Sequence, residues 1–380
     1  MAFFNLQTGR VDIPSPLRTL PKNPLRHPSF DGQRTESLGP DDQLSIPDSN
    51  VTAFSDVQKI ISRDDKVFLR KLIRTDQREF ITGTSDASLK ATHVLSAIRV
   101  DGRHKETKRK LKIMIEEVLT HFWFNNGNAF ELDSRPNMIL LSANNHAALN
   151  TYGLIGLSPG QARLRDIAEQ LLRDNADWAN RVEGGMDSRR NLDLNAYPYN
   201  VDSIEWEVVV FHRDDYLSPG EPSYIVDPRS RTLRGEPVND EPVNDSVNFC
   251  HIPDRPYDDE LPLLLDSNDA PLRFKMRTNR KDDEKLSLFA MLVNLHSKLQ
   301  AYMALTLPQR PSSIRLLYLQ VQTVIEYIFF APPGLNLRAK LDDELPSLQE
   351  ELLSPVKKTK DKGKGKALDI GNADDDGVEK

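Results

Sequence analysis

The chain of 380 residues has a single cysteine, Cys250, which excludes a disulfide scaffold and a cysteine-rich zinc module and fits a reducing, intracellular setting. It also lacks any run approaching the roughly 20 uninterrupted apolar residues of a membrane-spanning helix. Its most apolar stretch, Ile314 to Phe330, is broken by Arg315, Gln320, Gln322 and Glu326 and reads as a buried helix. The opening MAFFNLQTGRVDIP has no apolar segment long enough for a signal peptide. There is no glycine-rich phosphate loop, no Gly-x-Ser-x-Gly elbow and no Cys-x-x-Cys pair, so no small-molecule cofactor is expected. Positive charge is not in excess: 50 Lys and Arg against 57 Asp and Glu leave a net charge of −7. Such a chain is not coated in nucleic-acid-binding charge, although local basic patches stay open. Apolar residues are sparse at 38% and prolines number 25, so a good part of the chain should be loop.

What is present divides the chain into four parts. Residues 1–54 hold Pro14, Pro16, Pro21, Pro24, Pro28, Pro40 and Pro47 without apolar periodicity and read as an irregular arm. Residues 55–160 carry helical spacing from a cap at Ser55, a short strand over Leu89 to Leu95, a basic helical insertion at 103–124 and an apolar strand over Met138 to Leu141. One or two helical turns follow at Ala143 to Leu149. Residues 161–353 read as accessory helices and a small sheet. Ser158-Pro159 has the pattern of a helix start, and EWEVVVF at 205–211 is strand-like with SYIV at 223–226 as its partner. The tandem EPVND at 236–245 belongs in a loop, and helices over Lys285 to Leu305 and Ile314 to Phe330 should pack on each other. Residues 354–380 form a Lys- and Asp-rich tail that reads either as a nuclear-import or polyanion-binding signal or as a solvated end. The fold class is α+β.

Two histidines stand in defined settings, His93 in Ala91-Thr92-His93-Val94-Leu95-Ser96 and His146 in His146-Ala147-Ala148-Leu149-Asn150. Before them lies Arg78-Glu79-Phe80-Ile81-Thr82-Gly83, and between them Leu132-Asp133-Ser134-Arg135-Pro136-Asn137. Singly, each histidine is equally an ordinary half-buried or surface residue. As an ordered set, these motifs resemble the fungal branch of HNH endonuclease-like domains, the ββα-metal nucleases, over about residues 60–160. The resemblance implies a ββα-metal module and hydrolysis of DNA phosphodiesters with a divalent metal, Mg²⁺ or Mn²⁺, with Zn²⁺ the remaining option. It makes His93 the general base that takes a proton from water near neutral pH. Asn137 becomes the residue that orients the loop and fixes the tautomer of the His93 base, and His146, Asn150 and Thr92 become the metal positions.

The chain departs from the family pattern at the metal. Thr92 stands where active sites often have Asp or His, Asn150 where the branch often has Asp, and Glu79 where the motif has Cys. An imidazole, an amide and a hydroxyl suit a hard cation poorly. Two functions are therefore expected side by side: a metal-dependent endonuclease with a depleted ligand set, and an inactive HNH-derived scaffold that binds nucleic acid or a protein partner. The insertion supplies Arg103, Lys105, Lys108, Arg109 and Lys112, a cationic run that either contacts phosphate backbone or forms a solvated helix face. A second basic stretch over 273–281 is followed by Asp282, Asp283 and Glu284, which should cancel it, and His296 reads as a core residue.

Overall fold

A computed structural model describes residues 3–5, 10–12, 63–85, 88–98, 100, 105–125, 128–185, 189–217, 222–226, 247–253, 261–276, 278–305, 311–333 and 335. The Ser55 cap, Arg103, the EPVND duplication and the Lys-rich tail lie outside the described residues. The architecture is α+β, with small antiparallel sheets and helices of up to 23 residues. Among the described residues no helix is long and apolar enough to cross a membrane.

In chain order, β1 (Phe3–Asn5) and β2 (Arg10–Asp12) form a short hairpin inside the arm read as irregular. Helix α1 (Arg63–Asp76) leads to a turn that Gly83 closes at φ 69, a left-handed conformation that suits glycine. Strand β3 (Lys90–His93) pairs antiparallel with β4 (Met138–Leu141), with Thr92 opposite Ile139 and His93 opposite Met138. The basic insertion between them is α2 (Lys105–His121), which ends three residues before the expected 124. After β4, the Ser142 hydroxyl accepts from Asn145 N and caps α3 (Ala143–His146). The chain continues as a π-turn over Ala147–Tyr152 and ends on Gly153 at φ 67. Two antiparallel strands followed by a short helix thus form one local unit.

Later described elements share a core with this unit. Ser158 does not cap a helix: it ends β5 (Ile155–Ser158), and α4 (Gln161–Glu183) begins after Gly160 at φ 74. The apolar Ile155-Gly156-Leu157 run pairs with a neighbouring strand, a tertiary choice that the Ser-Pro signal does not reveal. Strand β6 (Glu205–Val210) forms where expected, but its partners are β5 and β10 (Arg273–Lys275). A four-residue helix, α5 (Arg213–Tyr216), follows it. SYIV is β7 (Ser223–Val226), and it pairs instead with β8 (Val247–His251), which also carries β9 (Leu265–Asp266). Helices α6 (Leu288–Ala304) and α7 (Ser312–Ile328) pack on each other, as the two apolar runs predict.

Most of α6 is buried, including its polar Asn294, His296, Ser297 and Lys298, so it runs through the core rather than along it. One apolar cluster joins Ile81, Leu141 and Leu149 of the strand–helix unit to Trp206, Phe274, Phe289 and Leu292 of the later chain. A buried ion pair adds direction to that contact. Arg280 donates from Nε to Asp76 Oδ1 at 2.8 Å and from Nη2 to Asp76 Oδ2, and its other bonds reach Arg135 O and Met138 O, each at 2.8 Å. Three cations of the basic stretch at 273–281 pair with distant acids: Arg280 with Asp76, Arg273 with Glu207 at 2.9 Å and Lys275 with Glu205 at 3.4 Å. The neighbouring 282–284 acids were the expected partners by sequence proximity.

Candidate functional site

Three asparagines cradle the backbone just after β3. Asn150 Nδ2 donates to His93 O at 3.0 Å, Asn294 Nδ2 to Val94 O at 2.6 Å and Asn137 Nδ2 to Leu95 O at 2.9 Å. Asn137 is wholly buried. Its Oδ1 accepts from Leu95 N at 2.7 Å, its Nδ2 also reaches Leu132 O at 2.8 Å, and its own carbonyl takes Val94 N at 2.8 Å. Every carbonyl from 93 to 95 therefore has an amide donor, which leaves the loop little freedom. Asn137 thus ties the 94–95 backbone to Leu132. Asn294 went unread, because it sits on α6 two hundred residues from the loop. Its signal is a polar residue inside an otherwise apolar helix run.

The His93 ring meets Asp133 rather than Asn137. Its Nε2 is enclosed and lies 3.3 Å from Asp133 Oδ1, close enough for attraction but off the line of a good hydrogen bond. The side chain is still 30% exposed, so its accessible surface lies on the rest of the ring. Asp133 Oδ2 takes the Lys112 ammonium at 2.6 Å, and Glu116 lies 3.8 Å from the same nitrogen. The His93 contact is the largest influence on Asp133; with Lys112 it outweighs burial and holds the carboxyl at about 2, below its usual range. Burial pushes the Lys112 amine down, but Asp133, Glu116 and Glu131 outweigh it and raise it above the usual lysine value.

Of the metal positions, Thr92 is set apart from the His93 ring. Thr92 is wholly buried and adjoins His93 on a strand, so the two side chains leave opposite faces. Its hydroxyl turns to Lys90 O at 3.4 Å. His146 is half-buried on α3, and Asn150 follows it by four residues. Asn150 Oδ1 is buried and has no hydrogen-bond partner among the described residues. Asp133, the carboxylate beside His93, is engaged by Lys112. Among the described residues no three His, Cys, Asp or Glu side chains group as a metal cage. One imidazole and one neutral oxygen do not fit a hard divalent cation, which takes several oxygen ligands and favours anionic ones.

Glu79, in the place of the motif's cysteine, is 2% exposed and fully employed. Its Oε1 accepts from Asn145 Nδ2 at 2.6 Å and from Ser142 N at 3.3 Å, and its Oε2 from Thr82 N at 2.7 Å and from the Thr82 hydroxyl. The carboxylate joins the Thr82-Gly83 turn to the first turn of α3, where the helix dipole favours an anion.

Four of the five Lys and Arg residues of α2, all but Lys110, lie along a single stripe. Lys105, Lys108 or Arg109, and Lys112 recur every three or four residues. Lys105 and Arg109 are exposed, Lys108 is half-buried, and Lys112 ends the stripe on Asp133. Comparison with protein-family models, with curated proteins and with solved structures finds no match for this chain.

Proposed function

We propose that the β3–β4–α3 unit is an HNH-derived ββα element that serves as a nucleic-acid-binding scaffold rather than as a metal-dependent nuclease. One observation carries this reading: the cationic stripe of α2 leads from solvent into the Lys112–Asp133–His93 group at the end of β3. Lys105 and Arg109 offer charge to successive phosphates, which positions a nucleic acid without reading its bases. Two further facts support a binding rather than a hydrolytic role: Thr92 faces away from His93, and the neighbouring carboxylate is tied to a lysine. His93, held by Asp133 and a braced backbone, then serves as a partly exposed hydrogen-bonding group beside the phosphates.

The experiment is fluorescence anisotropy on a labelled DNA duplex across a salt series, with plasmid nicking assayed in Mg²⁺ and Mn²⁺. Salt-sensitive binding without cleavage is expected. Lys105→Glu with Arg109→Glu should weaken it about tenfold or more and flatten the salt slope by about two. The endonuclease reading has its own support in the braced, part-exposed His93 and in the unpaired Asn150 oxygen. Metal-dependent nicking that His93→Ala abolishes would establish it instead. Binding that neither salt nor the double reversal alters would remove the scaffold reading.

A further inference from the structure

Helix α1 covers the face of the β3–β4 pair from which His93 projects. Leu72 of α1 clusters with Leu89, Met138 and Leu140, and Leu69 and Ala91 pack against that cluster. Alternation along β3 sends His93 out on the same face as Ala91, and the register sets it opposite Met138. Arg280 ties the last turn of α1 to this end of the pair, because its one guanidinium holds the Asp76 carboxylate, Arg135 O and Met138 O. The 133–138 segment therefore meets the last turn of α1 through Arg280 and the His93 ring through Asp133.

At this place α1 turns three cations to solvent. Arg70, Lys71 and Arg74 are exposed, and none has an acidic partner among the described residues. The one acid within Leu69–Asp76 is Asp76 itself, which is buried and taken by Arg280. Several cations elsewhere are answered: Lys112, Arg181, Arg273, Lys275 and Lys285 each meet a carboxylate. Arg70 and Arg74, four residues apart, form one ridge with Lys71 on its flank. The helix dipole accounts for Arg74 in the last turn, but not for Arg70 and Lys71 before it. In a chain of net charge −7, this ridge is a local field of the opposite sign, suited to a polyanion.

We propose that α1 is a second nucleic-acid-binding ridge, which holds phosphate backbone beside His93 together with the α2 stripe. The inference rests on the nucleic-acid reading above and makes that interface bipartite. Helix α2 borders the His93 group through Lys112 and Asp133, and α1 borders it through Met138 and Arg280. Contacts of this kind position a duplex and add affinity without reading its bases.

The test is anisotropy of the full chain on a labelled DNA duplex across a salt series. Arg70→Gln with Arg74→Gln should weaken binding about tenfold and lower the salt slope by about two, without a change in melting temperature. Arg165→Gln with Arg173→Gln makes the same charge change at exposed positions of α4, a helix packed on α7, and should leave affinity and slope unchanged. Undiminished binding by the folded α1 variant, while Lys105→Glu with Arg109→Glu still weakens it, would overturn the second ridge and leave the α2 stripe standing. An equal loss in the α4 variant would overturn the ridge as a bulk charge effect. Loss in the α1 variant with the α2 reversal silent would support the ridge and remove the stripe, and wild type without salt-sensitive binding would remove both.

Discussion

Two carboxylate-centred regions flank the β3–β4 pair and are built on opposite terms. Around Glu79, 2% exposed, each oxygen is matched by neutral donors from the 82 turn and the start of α3. Around Asp133, with a side chain 42% exposed, the partners are a lysine and a histidine at the edge of solvent. The first region is a joint, whose hydrogen bonds fix how a helix leaves a strand. The second is an electrostatic group whose charges can exchange partners with water or a ligand. The same functional group does structural work where it is enclosed and stays chemically available where it is not.

That contrast can be broken most directly at Glu79. Glu79→Ala strands Asn145 Nδ2 and Thr82 N, and should cost about 3 kcal/mol or more by urea denaturation. Asp133→Asn should cost about 1 kcal/mol or less, because an exposed pair is screened. Equal effects would erase the distinction. Asn294→Leu comes next, at about 2 kcal/mol, since it leaves the buried Val94 carbonyl without that donor. Amide exchange at 94–96 should quicken more than exchange in β4; uniform quickening would mean a general loss of packing.

A smaller effect is pH-dependent. The Asp133 pKa is depressed in the folded state, so its contribution to stability is full above about pH 4 and disappears as pH falls toward about 2. Wild type and Asp133→Asn, compared by melting temperature, should converge across that window; parallel curves would show that the pair contributes nothing. The smallest change in stability, within about 0.5 kcal/mol, is expected for Lys105→Glu with Arg109→Glu, whose side chains are exposed. Those substitutions should alter nucleic-acid affinity alone, and a large loss of stability would make the stripe part of the fold.

Local patterns were legible and long-range partners were not. The Met138–Leu141 run, the EWEVVV strand and the two apolar helices near the C-terminus appear because periodicity and β-branching are written locally. The pairing of β6 with β5 and β10 was missed, since any apolar strand of suitable length offers the same hydrogen-bonding edge and SYIV was nearer in sequence. At the site, His93 and Asn137 stood out through their motifs, and the bracing of the loop by Asn137 is visible in its hydrogen bonds. Asp133 stands within one of those motifs, where the sequence gives no sign of which way it points. Only the insertion helix, which brings Lys112 across to it, determines which way the carboxylate points. Thr92 carried no sign of its orientation until the strand register set it opposite Ile139 and buried it.

By itself the order of residues determined where strands and helices could form and which side chains could carry charge, because those properties reside in each residue and its near neighbours. Tertiary packing alone decided that Asn294 would hold the backbone next to His93, that Glu79 would be enclosed and Asp133 left open, and that Arg280 would seek Asp76 across two hundred positions. Those outcomes depend on which surfaces exclude water together, and no window along the chain contains that information.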